Sequence, residues 1–308
     1  MRYAVLFPGQ GSQHVGMGDD LFPARPDLLG AAADEILGWS LADICREGPE
    51  AELRRTDRAQ PALYAIGYAL WESWREAAPR PPVAAAGHSL GEYTALAAAG
   101  ALSYRDGLRL VAARGRAMAT ATVRIPGAMA AVVGVDLAVL EDVVAARRQQ
   151  GGRLWVANVN APGQIVVAGA ESDVAWLASS ARDLGLRRVI ALNVAGAFHT
   201  PLMQPAADEL AASLAGTAFT ATRFPVWSNL EAAPIDDARA ALEGQLTGKV
   251  RFSESLLAMR DAGVEAFVHL GPGDVTAGLA KRTIGDCVAI SVSTLSDIPV
   301  AVEQLTVL

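Results

Sequence analysis

The chain has 308 residues, 52% hydrophobic and 19% charged, which excludes global disorder and suits one large domain or a domain carrying an insert. A formal net charge of −7 without any block of like charges argues against a nucleic-acid-binding protein. Cys45 and Cys287 are far apart and lack CxxC spacing, so neither a disulfide framework nor a zinc site is expected. Lys stands only at Lys249 and Lys281, and the arginines that supply the rest of the positive charge are scattered. No apolar run approaches the ~18 residues needed to span a bilayer, and Tyr3–Phe7 meets Pro8-Gly9 too soon for a signal peptide. The expectation is a cytoplasmic, monomeric protein with no membrane or nucleic-acid partner and no metal or redox cofactor.

Short apolar runs alternate with longer helical stretches, the pattern of an α/β protein with a mostly parallel sheet. Tyr3–Phe7 is the first predicted strand and ends in Pro8-Gly9-Gln10-Gly11-Ser12-Gln13. A helix is predicted over Pro61–Glu76, with Ala62, Ala65, Ile66, Ala69 and Leu70 on one face, broken by Pro79, Pro81 and Pro82. Val83–Ala86 reads as a short buried strand, followed by Gly87-His88-Ser89-Leu90-Gly91 and a helix from about Gly91 to Ala99. A further helix carries Leu108, Leu110, Val111, Arg114 and Met118. The texture changes near Pro126-Gly127. Ala128–Val133 reads as a strand, Leu137–Gln149 as a helix, Leu154–Val159 and Ile165–Ala168 as a strand pair, Ser172–Leu184 as a helix and Arg188–Val194 as a strand. That βαββαβ order is a ferredoxin-like unit, predicting an inserted subdomain at 126–193 and a large domain built from 1–125 and 194–308. Helices resume around Pro201–Leu214, and the strands Phe224–Ser228 and Ala266–Leu270 complete the sheet, the second running into Gly271-Pro272-Gly273.

Gly87-His88-Ser89-Leu90-Gly91 is a G-x-S-x-G between a predicted strand and a predicted helix. In such a nucleophile elbow the glycines let backbones approach around a strained turn, and the serine hydroxyl stands clear of the sheet. The Leu90 backbone N–H is then placed to donate to an oxyanion. A serine needs a base, and the chain has four histidines. His88 lies inside the elbow and suits packing; His14 sits in a glycine-rich loop and suits the surface. His269 ends a strand, where it could face the site or serve as a satisfied core residue. His199, where the inserted unit returns to the large domain, is the base candidate, because loops at such junctions border clefts. Gly9, Gly11 and Gly16 miss the spacing of a phosphate-cradling loop and no lysine is near. The 9–13 loop reads better as a tight turn whose backbone N–H groups supply a second oxyanion donor.

Taken together these motifs resemble the malonyl-CoA:acyl carrier protein transacylases and the related acyltransferases of polyketide synthases. The resemblance runs through Phe7-Pro8-Gly9-Gln10-Gly11-Ser12-Gln13, Gln60-Pro61-Ala62-Leu63, Gly87-His88-Ser89-Leu90-Gly91-Glu92 and Arg114-Gly115. It continues through Asn158-Val159-Asn160-Ala161-Pro162-Gly163-Gln164, Phe198-His199, Ser228-Asn229 and Gly271-Pro272-Gly273. It implies Ser89 as nucleophile, His199 as general base oriented by backbone carbonyls, and the Gln10 and Leu90 N–H groups as an oxyanion hole. It also implies Arg114 as the partner of a malonyl carboxylate, since a planar guanidinium grips a carboxylate through two parallel hydrogen bonds. Gln60, Asn158 and Phe198 are implied at the substrate; a bulky Phe198 leaves little room for an α-methyl branch, a preference of about 1–3 kcal/mol. Malonyl-CoA would enter as substrate, with the phosphopantetheine arm of an acyl carrier protein as acceptor and no separate cofactor. Leu37-Gly38-Trp39-Ser40 and Gly196-Ala197-Phe198-His199 look closer to free-standing polyketide acyltransferases. The 250–252 stretch, Val250-Arg251-Phe252, stands where fatty-acid members often carry a glutamine near the histidine.

The expected architecture is an α/β-hydrolase-like large domain with a parallel sheet, an inserted ferredoxin-like subdomain, and the active site between them. Alternative readings are a hydrolase that clears acyl groups from carrier proteins, a transferase of larger non-malonyl acyl groups between carriers, and a silent docking module. Arg114 weighs against the first two, because an acyl group without a free carboxylate has no use for a buried cation. Intact Ser89 and His199 weigh against the third.

Overall fold

Tyr3–Phe7 (β1) is buried along its whole length, as a strand with helices on both sides of its sheet must be. Its side chains alternate between two cores. Tyr3, Val5 and Phe7 enter one with Leu63, Ile66, Leu70 and Trp74, while Ala4 and Leu6 enter another with Phe252, Leu256 and Met259. The computed structural model describes residues 1–194 and 196–307; Ala195 and Leu308, the last residue of the expected large domain, lie outside the described residues.

β1 pairs in parallel with Ala84–Gly87 (β2) on one side and with Ala266–Leu270 on the other. Val226–Trp227 extends the sheet beyond β2, and Val288–Val292 extends it beyond Ala266–Leu270. Every pairing in this five-stranded sheet is parallel, so the strands open their C-terminal ends at one edge. Phe7 sits beside Gly87 in the register, which sets the 8–13 loop next to the G-x-S-x-G turn at that edge.

The second sheet has four strands: Ala128–Val133, Leu154–Ala161, Gln164–Gly169 and Arg188–Ala191. Its spatial order, second-third-first-fourth, and its antiparallel pairings are those of a ferredoxin-like unit. It has its own core, with Val132, Leu140, Val144, Leu154, Val167 and Leu177 among its members. Main-chain bonds join the two sheets' territories: Val159 donates to the Val250 carbonyl and Val250 to that of Ala157, each 2.8 Å. The chain is thus a mixed α/β protein with a parallel sheet and a small antiparallel one. Among the described residues no helix is long and apolar enough to cross a membrane.

Several elements differ from their predicted bounds for local reasons. The Pro61–Glu76 helix starts earlier, at Thr56, and runs to Ala77; Pro61 sits inside it and forfeits only one bond, to the Asp57 carbonyl. The strand expected over Phe224–Ser228 narrows to Val226–Trp227. Pro225 has no N–H to give, though its carbonyl accepts from Ala85, and Ser228 already bonds across a turn to Ala233. Arg188–Val194 pairs only to Ala191, because Val194 folds back onto the Leu192 carbonyl in a three-residue turn. Val288–Val292 is an additional edge strand whose alternation is weak, with Val288, Ala289 and Ser291 all reaching solvent.

The elbow glycines stand where no side chain fits. A Cβ on Gly87 would lie 1.8 Å from the Gly91 carbonyl carbon, and one on Gly91 would lie 2.2 Å from the Phe7 carbonyl oxygen. Both obstacles are backbone and cannot rotate away. Gly91→Ala is therefore expected to cost about 1–3 kcal/mol or more of stability, read as a lowered urea midpoint; an unchanged midpoint would contradict this packing.

Candidate active site

Ser89 sits between β2 and the helix Gly91–Ala99 with φ +52°, a left-handed conformation that costs a non-glycine residue energy and is held only where surroundings over-determine it. His199, at the end of the return from the small sheet, is likewise left-handed, at φ +60°. The two residues face one another. His199 Nε2 lies 2.8 Å from Ser89 Oγ, and His199 Nδ1 lies 2.9 Å from the Gln245 carbonyl. A carbonyl only accepts, so Nδ1 carries the ring proton and Nε2 is left to accept from the serine hydroxyl. Gln245 ends the helix Ala238–Gln245, and its carbonyl is one of those a helix terminus leaves without an internal partner.

Arg114, on the helix Tyr104–Arg124, is 1% exposed. Its Nη2 donates to Ser89 Oγ at 3.0 Å and to Gln245 Oε1 at 3.0 Å, and its Nη1 donates to Gln60 Oε1 at 2.7 Å. The Tyr93 ring lies 5.4 Å from the guanidinium carbon, within cation–π range. The hydroxyl oxygen that hydrogen-bonds to His199 therefore also receives a hydrogen bond from a cation, an arrangement that would favour negative charge on it. Across the elbow, the backbone N–H groups of Gln10 and Leu90 donate to no acceptor among the described residues. Gln10 is steadied by its side chain, which donates to Thr56 Oγ1 at 3.2 Å.

A cavity of about 280 Å³ is lined by loop and helix residues that follow the parallel strands and by residues of the small sheet, including Gln10, Ser89, Arg114, Asn158, Phe198 and His199. A hydroxyl, a neutral imidazole, the free Gln10 amide and a buried cation converge there, with Leu90 following Ser89 directly in the chain. The set suits covalent acyl transfer to and from a serine.

Residues 5–299 match the family described as the acyl transferase domain. The chain belongs to that family. It is 40% identical over 309 aligned positions to the malonyl CoA-acyl carrier protein transacylase of Bacillus subtilis, covering 99% of this chain and 97% of that protein. It is 39% identical over 284 positions to the polyketide biosynthesis protein ThaF of Burkholderia thailandensis, covering 92% of this chain and 24% of that much longer one. Among solved structures, a malonyl-transacylase in complex with a type II polyketide-synthase acyl carrier protein superposes with a TM-score of 0.93 at 36% identity, covering 99% of this chain and 100% of that one.

In this acyl transferase Ser89, His199, Gln10, Leu90 and Arg114 come together in one site. Phe198 and Asn158 form part of its wall, with Asn158 Oδ1 buried and unpartnered among the described residues. Gln60, fully buried, also borders the cavity and steadies the guanidinium by accepting from Arg114 Nη1. The other histidines lie elsewhere in role: His14 is exposed, and His269 is buried against Thr276 Oγ1 and the Gly271 carbonyl. His88 meets Asn160 Oδ1 at 2.7 Å and packs edge-on against Phe252.

No glutamine stands at 250–252; the glutamine that meets His199 is Gln245. It is reached through the helix that ends there, and it serves with both main chain and side chain: its Nε2 also donates to the Ser89 carbonyl at 2.9 Å. Asn229 was visible only as half of a motif, Ser228-Asn229, with no role attached. Its Oδ1 accepts from the Ser89 N–H and its Nδ2 donates to the Gly87 carbonyl, each at 2.7 Å, so it clasps the elbow.

Burial, and then the Arg114 cation, push the His199 imidazole from its ordinary 6.5 down to about 3. A base works only when neutral, and a depressed value keeps the ring neutral as pH falls through the range where an ordinary histidine charges. The kcat/KM for acylation of Ser89 reports the free enzyme. It is expected to hold within about twofold from about pH 8 to about pH 5, measured by rapid-quench labelling with an acyl thioester. A half-loss near pH 6.5 would contradict the assignment.

Proposed function

We propose that this acyl transferase moves a malonyl group from malonyl-CoA to the phosphopantetheine thiol of an acyl carrier protein, in fatty-acid or polyketide assembly, through an ester on Ser89. The observation that carries the reading is Arg114, a fully buried cation 3.0 Å from Ser89 Oγ whose hydrogen bonds all end on neutral oxygens. A buried charge with no counter-charge bonded to it is costly, and the nearby Glu92 acid, whose burial favours its neutral form, bonds to Asn229 rather than to Arg114. A malonyl carboxylate seated beside the serine would supply that counter-charge and could accept two hydrogen bonds from the guanidinium.

In the first half-reaction Ser89 Oγ attacks the thioester carbonyl carbon while its proton passes to His199 Nε2. The carbonyl oxygen becomes an oxyanion and takes the Gln10 and Leu90 N–H bonds, a donor of this kind contributing about 2.7–4 kcal/mol. The C–S bond then breaks, and His199 returns the proton to the departing CoA sulfur. In the second half-reaction the carrier thiol gives its proton to His199 and attacks the ester. The Ser89 C–O bond breaks, and Oγ recovers a proton from His199.

Phe198, part of the cavity wall, acts here as the limit on α-branched acyl groups. The division into a body of 1–125 and 194–308 with an insert at 126–193 is supported by the crossing point. A Cβ on Gly127 would stand only 2.7 Å from that of Ala197, so the outgoing and returning segments lie side by side.

Intact-protein mass spectrometry after brief exposure to malonyl-CoA, methylmalonyl-CoA and acetyl-CoA tests the reading. A malonyl adduct is expected on the wild type and none on Ser89→Ala. Arg114→Ala should slow malonyl labelling roughly 30- to 1000-fold, the loss of about 2–4 kcal/mol when one partner of a buried charge pair is removed, while acetyl labelling falls much less. No malonyl adduct on the wild type, or equal loss of both acyl groups in Arg114→Ala, would overturn it.

A further inference from the structure

Glu92 is a carboxylic acid in the core without a part in the chemistry above. It sits in the first turn of the helix after the elbow and is 0% exposed. One oxygen, Oε2, accepts the Asn229 backbone N–H at 2.8 Å; the other, Oε1, is buried with no partner among the described residues. Burial raises the carboxyl to about 7, against the bond from Asn229 and the nearby Gln245 and Arg114, which favour its charged form. A half-satisfied buried acid lowers stability relative to an apolar residue of its size. Its place in the network gives it a use.

The Asn229 side chain bonds the elbow on both sides of His88, to Gly87 O and to Ser89 N, while Gln245 Nε2 bonds Ser89 O. Both polar ends of Ser89's main chain are thereby held. The peptide joining Ser89 to Leu90 is planar, with its carbonyl oxygen and its N–H pointing in opposite directions. Holding Ser89 O on the Gln245 side therefore aims the Leu90 N–H the other way, out to where the oxyanion forms. Asn229 can hold its half of this arrangement only if its own backbone is fixed. Its carbonyl accepts from Arg251 at 2.8 Å, and its N–H is fixed by Glu92.

We propose that Glu92 is a positioning residue for the reaction: by anchoring Asn229 it sets the strained Ser89 main chain, so that the nucleophile and the Leu90 oxyanion donor converge on one acyl carbon. The proposal rests on Ser89 being the nucleophile. It predicts a loss in the chemical step rather than in binding, because Glu92 touches neither substrate nor reacting atoms.

The test compares Glu92→Ala, Asn229→Ala, the double variant and Glu92→Gln in the full-length chain, each checked for a cooperative thermal transition. Two rates are read: labelling of Ser89 by a fluorophosphonate probe, which has no carboxylate, and acylation by malonyl-CoA. Glu92→Ala and Asn229→Ala are each expected to slow both by about 10- to 100-fold, the scale of a misplacement near 1 Å, with the KM for malonyl-CoA moving less than about threefold. The double variant should be no slower than the slower single one, since the two residues act as one unit. Glu92→Gln retains an oxygen for the Asn229 N–H and should recover most of the rate. Wild-type labelling rates in folded Asn229→Ala or Glu92→Ala, multiplying losses in the double variant, or a Glu92→Gln rate as low as that of Glu92→Ala would each overturn the proposal. If Glu92→Ala does not fold, Asn229→Ala and Glu92→Gln still decide it. Wild type labelled by the fluorophosphonate but not by malonyl-CoA would sink the malonyl reading alone and leave this comparison intact.

Discussion

A fully buried guanidinium under a serine hydroxyl that borders the cavity is the constraint around which the rest of the site is arranged. Arg114 keeps its charge at any working pH, so the fold must surround it with oxygens that point inward and do not neutralise it. Gln60 and Gln245 do this with amide oxygens, Tyr93 with the face of its ring, and Ser89 with the hydroxyl itself. In the proposed reading, that cation's want of a bonded carboxylate selects the acyl group. The same cation sits at the nucleophilic oxygen, and it helps keep His199 neutral. In that reading one side chain links substrate choice, nucleophile and base.

The architecture explains how such a cluster is held. Parallel strands deliver the 8–13 loop and the G-x-S-x-G turn to one sheet edge, in register through Phe7 and Gly87. The small antiparallel sheet contributes the facing wall, and the segment returning from it carries Phe198 and His199. Left-handed backbones at Ser89 and His199 mark the places in the site where strain is accepted, and each is held by bonds at its own residue. Packing of backbone on backbone at Gly87 and Gly91 leaves the turn no room to relax.

Legibility in the sequence followed the reach of each interaction. The elbow could be read because its requirements are local: two glycines, a serine, a strand before and a helix after. His199 could be singled out because a domain junction borders a cleft, and the ferredoxin-like order emerged from short, clearly patterned runs. Gln245 could not be found the same way. Its key group is a main-chain carbonyl that is free only because a helix ends there, and its partners Arg114 and Ser89 are 131 and 156 positions away. Asn229 and Glu92 likewise act through contacts spanning 140 and 137 positions, and no periodicity records them. Strand ends at Pro225 and Leu192 were set by single missing or diverted hydrogen bonds, which hydropathy does not register.

The most direct test of the account is a crystal structure of the malonyl ester trapped on Ser89, with His199 replaced by Ala to stop its turnover. The account predicts the malonyl carboxylate against Arg114, bound through two hydrogen bonds, and the ester carbonyl oxygen between the Gln10 and Leu90 amides. A carboxylate turned toward solvent, with Arg114 still bonded to Ser89 Oγ, would contradict it.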